Sequence, residues 1–201
     1  MSDDTVRADI AFIREAIEEG RHYASGHSPD MMVWGVAVAI GYLNTYAFIR
    51  GWSSLVPGWL WLACIGGPWL YSLRRPLRGL AGDWRPARQS PMVTSLRMLW
   101  LGCGVFMTIL ALAACWTGEI RQGWFAAVVA GVLGAAFFAT SSLANLAWLR
   151  WVAVLWWGGE LVSYALRHRP EGPLFSALLM LLLLAGPGLV LIRRSESTRC
   201  P

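Results

Sequence analysis

Six apolar stretches, each near the ~20 residues a helix needs to cross a hydrocarbon core, fill most of this 201-residue chain and leave it few possible folds. They cover residues 31–49, 55–73, 98–117, 123–143, 146–166 and 174–192. Inside lipid a backbone has to satisfy its own N–H and C=O groups, so apolar stretches of this length become helices. Charged residues make up 14% of the chain, against about 25% in soluble domains. The expected fold is all-α: an integral membrane protein with a six-helix bundle over 29–194. An Arg/Pro-rich loop over 74–97 interrupts the bundle, and a short tail over 195–201 follows it. Residues 1–28 form an amphipathic helix and a juxtamembrane segment. The link at Ala144 and Asn145 is so short that the fourth and fifth segments have to form an antiparallel hairpin. Kinks are expected at Gly66-Gly67-Pro68 and Gly186-Pro187-Gly188, because proline removes a helical donor.

Arginine distribution orients the bundle. All seventeen basic residues are arginine, a bias of GC-rich genomes that, with the multi-pass pattern, suggests a bacterial inner membrane. With the amino terminus in the cytoplasm, thirteen arginines fall on the cytoplasmic side. Only Arg50, Arg121, Arg167 and Arg169 fall on the other. The positive-inside rule therefore puts both termini in the cytoplasm. The formal charge of +5 is spread over segment ends rather than gathered on one face, which argues against nucleic acid as a partner.

The amino-terminal segment is polar, without the pattern of a cleaved signal peptide. Val6, Ile10, Ile13 and Ile17 recur at helical spacing, and Gly20 can end the helix. Residues 3–21 hold six acids against three arginines, so this helix suits a protein surface, its own bundle or a partner, better than anionic lipid. The same acids can pair with the Arg-rich loop.

An echo runs through the chain. Gly41-x-Leu43-x-Thr45-Tyr46-Ala47 matches Gly159-x-Leu161-x-Ser163-Tyr164-Ala165 at an offset of 118. Gly67-Pro68-x-Leu70-x-x-Leu73-Arg74-Arg75 matches Gly186-Pro187-x-Leu189-x-x-Ile192-Arg193-Arg194 at 119. The first and last hairpins then read as copies in one orientation, a parallel repeat of the kind transporters use.

Glu160 lies within an apolar run, where a charge is costly and a functional role is the default reading. Glu160, Tyr164 and His168 share a helical face. Tyr42, Asn44 and Tyr46 reach similar depth on the first segment, and Glu119 and His168 sit nearer the mouth. These seven residues form the expected intramembrane polar site. The bland alternative is a protonated or arginine-paired Glu160 that only pins helices together. His168 is eight residues from Glu160, about 12 Å along a helix, and His22 and His27 are juxtamembrane. The chain thus offers no metal or haem ligand set, and no cofactor is expected. Nor does it carry H-E-x-x-H or G-x-S-x-G, so an enzyme is not expected. Trp52, Trp59, Trp84, Trp116 and Trp124 read as interface tryptophans. Trp148, Trp151, Trp156 and Trp157 cluster more densely, as cavity walls or partner contacts. Gly131-x-x-Gly134 reads as a close-packing signal.

The function expected from these features is a non-enzymatic accessory or regulatory membrane component. Its partners would be the bilayer and another protein or a second copy of the chain. The alternative is a small transporter or channel for a solute, ion or proton around Glu160.

Overall fold

The computed structural model describes the backbone of residues 28–80, 91–117 and 124–197, with isolated positions before them (Arg7, Ile10, Arg14, Glu18, Glu19, Gly20, Gly26 and His27). Among these residues there are helices and turns and no strand. Five long helices come first: α1 (Ser28–Ile49), α2 (Pro57–Leu80), α3 (Pro91–Thr117), α4 (Trp124–Leu143) and α5 (Trp148–Ala165). The last rod is α6 (Gly172–Met180), a π-helical turn (Leu181–Ala185) and α7 (Gly186–Ser197).

Four stretches are long and apolar enough to cross a membrane: Ser28–Ile49, Pro91–Ala114, Trp124–Leu143 and Gly172–Arg193. That is fewer than the six expected from the apolar runs. The two outside this set, α2 and α5, are rich in tryptophan and glycine, and α5 also carries Arg150 and Glu160. The bundle turns apolar side chains outward, among them Leu70, Ile109, Leu161 and Leu182, each at least 60% exposed. So broad an apolar exterior suits contact with lipid rather than water.

Helices α4 and α5 make the most extensive pairing. Asn145 turns the chain between them at φ 49°, the left-handed region that asparagine tolerates better than most residues. The glycines anticipated as a packing signal are notches. A Cβ on Gly131 would lie 2.9 Å from a carboxylate oxygen of Glu160, and one on Gly134 would lie 2.5 Å from Trp157 Nε1. Helix α4 is also the most enclosed, with 56% of its apolar stretch buried against 11% for α3. The core between α4, α5 and the last rod holds Phe137, Leu149, Ala153 and Trp156, all fully buried.

Tryptophan indoles tie the helices together. Trp61 donates to Thr45 (3.1 Å), Trp69 to Thr108 (2.8 Å) and Trp100 to Thr140 (3.1 Å), linking α2 to α1, α2 to α3 and α3 to α4. Each threonine passes its own proton to the carbonyl four residues back, that of Gly41, Gly104 or Ala136. One hydroxyl thus satisfies two helices at once. In lipid, where apolar burial between helices has no water to escape, such polar links and close packing supply the association energy.

Helix α2 stays helical through Gly66-Gly67-Pro68, whereas the second proline site is a real irregularity. Pro187 has no N–H for the carbonyl of Leu183 four residues earlier. Trp156 of α5 supplies the missing donor at 3.2 Å. Before it, the Gly186 N–H reaches back to the carbonyl of Leu181, the wider π spacing. Helix α1 crosses closely here: a Cβ on Gly35 would lie 2.8 Å from the Ala185 nitrogen, and one on Gly188 would lie 2.8 Å from the Ser28 carbonyl.

The echo has a structural counterpart. A Cβ on Gly41 would press on the Trp61 ring at 3.2 Å, and one on Gly159 on Leu179 at 2.8 Å. Trp61 and Leu179 are themselves 118 residues apart, as are the two glycines. The offset becomes 119 by Gly186-Pro187, and the π turn lies between Leu179 and that pair. A π turn absorbs one extra residue without ending the helix, so the odd residue between the two matching segments sits where the helix widens.

Helix α1 ends in a glycine cap: Gly51 has φ 74°, its N–H bonds to the carbonyl of Phe48, and that of Trp52 bonds to the carbonyl of Ala47. Arg50 pairs with Glu171 across the start of α6 at 2.8 Å, so these termini share one end of the bundle. At the other end Gly20 lies against Met92 and the Leu143 carbonyl.

Candidate functional site

A cavity of about 30 Å³ opens at the Arg50 end between α1, α5 and the start of α6, with Trp61 of α2 and Phe125 of α4 as further walls. That volume holds a few waters or one small polar group. Its lining includes Tyr42 and Ser163, 5% and 3% exposed. Neither the Tyr42 hydroxyl nor the Ser163 hydroxyl has a hydrogen-bond partner. Trp61 meets the Tyr42 ring edge-on, centroids 5.0 Å apart at 89°, which fixes that ring from one side. Thr45 and Ser176 also line the space, but their protons go to the carbonyls of Gly41 (2.9 Å) and Gly172 (3.1 Å). Arg167 and Arg169 line it as well. Arg167 donates to the carbonyl of Tyr164 (3.0 Å) and lies over that residue's ring, 4.1 Å from the centroid.

A buried hydroxyl without a partner costs about 1–3 kcal/mol, so two in one small cavity call for a partner that enters it. Helix geometry explains their placement. Thr45 and Ser163 each lie four residues after the glycine that lets the neighbouring helix approach, Gly41 or Gly159, and so share its inward face.

Of the six described residues of the expected polar site, Tyr42 alone lines this cavity. The carboxyl of Glu160, on a half-buried residue, lies instead against Gly131 of α4. Asn44 serves the α1–α2 connection: its amide donates to the carbonyl of Leu55 (3.3 Å) and its oxygen accepts from Ser53 (2.9 Å). Tyr46 stacks edge-on with Trp52, with Arg50 near its ring. Tyr164 and His168 are exposed, and Glu119 lies outside the described residues. The stripe thus begins with Glu160 at the α4 contact and continues through exposed Tyr164 and His168. In the amino-terminal segment Ile10 is 47% exposed. Val6, Ile13 and Ile17 lie outside the described residues.

Ser163, Thr45, Arg167, Arg169 and Ser176 were absent from the expected site. The signal for two of them was the echo, which pairs Thr45 with Ser163 as small hydroxyls at one repeat position. Compared with family models, with curated proteins and with solved structures, the chain finds no match in any of the three.

Proposed function

We propose that the chain is a non-enzymatic, six-span protein of a bacterial inner membrane, both termini cytoplasmic, that binds a small polar ligand in this cavity from the outer side. The observation that carries the reading is the pair of buried, unpartnered hydroxyls of Tyr42 and Ser163 in a cavity lined by arginines. These are binding groups, suited to holding a ligand. The location supports it too: the cavity lies where the two related hairpins face each other, as binding sites of repeat-built transporters do. Ligand capture there would serve transport or signalling to a partner. We accordingly centre the proposed polar site on Tyr42 and Ser163, while Glu160 packs at the Gly131 notch of α4. Six spans require α2 and α5 to cross as well, and their outward residues Trp59, Leu70, Leu155 and Leu161, all more than half exposed, support that.

The test is thermal unfolding of the detergent-solubilised protein against small neutral, cationic and anionic solutes. A solute that raises the melting temperature of the wild type but not of Ser163→Ala supports the reading. A panel with no such solute overturns it.

An accessory role through a protein partner is favoured by one further feature. Helix α3 has only 11% of its apolar stretch buried and exposes Met98, Phe106 and Ile109 in a row. Purification of a stoichiometric partner released by Phe106→Ala would support that role.

A further inference from the structure

The cavity's donors and acceptors are unequal, and the imbalance identifies the class of ligand. Thr45 and Ser176 have spent their protons on backbone carbonyls, and Thr45 also accepts from Trp61. The hydrogen-bond donors left are the hydroxyls of Tyr42 and Ser163, each without a partner, and the guanidinium groups of Arg167 and Arg169. A guanidinium has five N–H donors, and Arg167 spends one of them on the Tyr164 carbonyl. Among the described residues no carboxylate lines the space, and Glu171 at the same end is held by Arg50 at 2.8 Å. The space is therefore rich in donors and positive in sign. A cation would meet two arginines with no counter-charge, and a neutral solute would leave most of the guanidinium donors unused.

Resting on the binding role proposed above, we infer that the cavity takes an oxyanion, a phosphate group above all, with its oxygens on the Tyr42 and Ser163 hydroxyls and its charge on Arg167 and Arg169. Guanidinium forks match phosphate and carboxylate oxygens in pairs. The two hydroxyls take the remaining oxygens and reject an apolar group, which would leave them orphaned. The group can arrive as a free anion or as the headgroup of an anionic phospholipid.

The hydroxyls make the inference separable from a structural role. Because Ser163 and Tyr42 donate to no group of the protein, Ser163→Ala and Tyr42→Phe remove no hydrogen bond within it. Their ligand-free melting temperatures should equal or exceed that of the wild type. The ligand should nevertheless bind at least tenfold more weakly to each. The experiment titrates inorganic phosphate into detergent-solubilised protein in phosphate-free buffer by calorimetry. In parallel it measures melting temperature in nanodiscs of phosphatidylglycerol and of phosphatidylcholine. Saturable phosphate binding, lost in the double variant Arg167→Gln/Arg169→Gln and weakened tenfold in the hydroxyl variants, supports a free oxyanion. A melting temperature raised by phosphatidylglycerol over phosphatidylcholine, with the same variant pattern and no response to phosphate, supports the lipid headgroup. A response to a neutral or cationic solute that is lost in Ser163→Ala but kept in the arginine variant overturns the oxyanion while leaving the binding role intact. No response to any probe overturns both, and water then fills the cavity.

Discussion

Replacing Trp156 by phenylalanine tests the way the last rod is held together. Trp156 is fully buried, and its indole donates at 3.2 Å to the Leu183 carbonyl, which Pro187 leaves without its helical partner. Phenylalanine keeps a ring and removes the donor. Interhelical hydrogen bonds in membrane proteins average ~0.6 kcal/mol and reach ~1.7 kcal/mol. A buried acceptor left unpaired costs about 1–3 kcal/mol. Because Pro187 has no N–H to offer in the indole's place, the donor's removal should cost about 1–2 kcal/mol. Pro187→Ala returns an N–H within reach of Leu183. In that background Trp156→Phe should cost about 1 kcal/mol less, since the loss of ring volume is common to both backgrounds and cancels in the cycle. Reversible unfolding in mixed dodecyl maltoside and sodium dodecyl sulfate micelles, followed by circular dichroism, measures the four proteins. Additive effects, equal within ~0.3 kcal/mol, would refute the claim that the indole replaces the donor that proline lacks.

Other expectations follow from the same contacts. Gly134→Ala should destabilise by about 1–3 kcal/mol through overpacking, because the new Cβ meets Trp157 at 2.5 Å; unfolding in the same micelles reads this. Gly158→Ala, with nothing within 4 Å, should be neutral or slightly stabilising. Thr140→Val removes the acceptor of Trp100 and should cost up to ~1.7 kcal/mol, measured in the same way. Glu171→Gln breaks an ion pair whose side chains are 40% and 48% exposed and should change the melting temperature little, consistent with a cost below ~1 kcal/mol.

Helix placement was legible because the length of an apolar run and the need to satisfy the backbone act along one segment. Segment ends were less so. Helix α2 continues to Leu80 and α3 starts at Pro91, beyond the apolar runs, because a helix need not stop where its hydrophobicity does. The close packing at Gly131 and Gly134 was also legible, since small residues one turn apart leave a groove whatever fills it. What fills it was not: the stripe of Glu160, Tyr164 and His168 defines a face of α5 but not the helix that face meets. The tryptophans show the same limit. Trp61, Trp69 and Trp100 each bond a threonine on another helix, a pairing that exists only after packing. The one-residue change of offset was visible in the echo, and its meaning emerged with the π turn at Leu181–Ala185.

Thiol labelling of intact cells tests the proposed bundle, six spans with the cavity facing outward. In a background with the four native cysteines replaced by serine or alanine, Arg169→Cys at the cavity and Arg150→Cys at the start of α5 are each exposed to a membrane-impermeant maleimide. Arg169→Cys should react in intact cells and Arg150→Cys only after the cells are opened. Labelling of Arg150→Cys in intact cells, with Arg169→Cys protected, would contradict that topology.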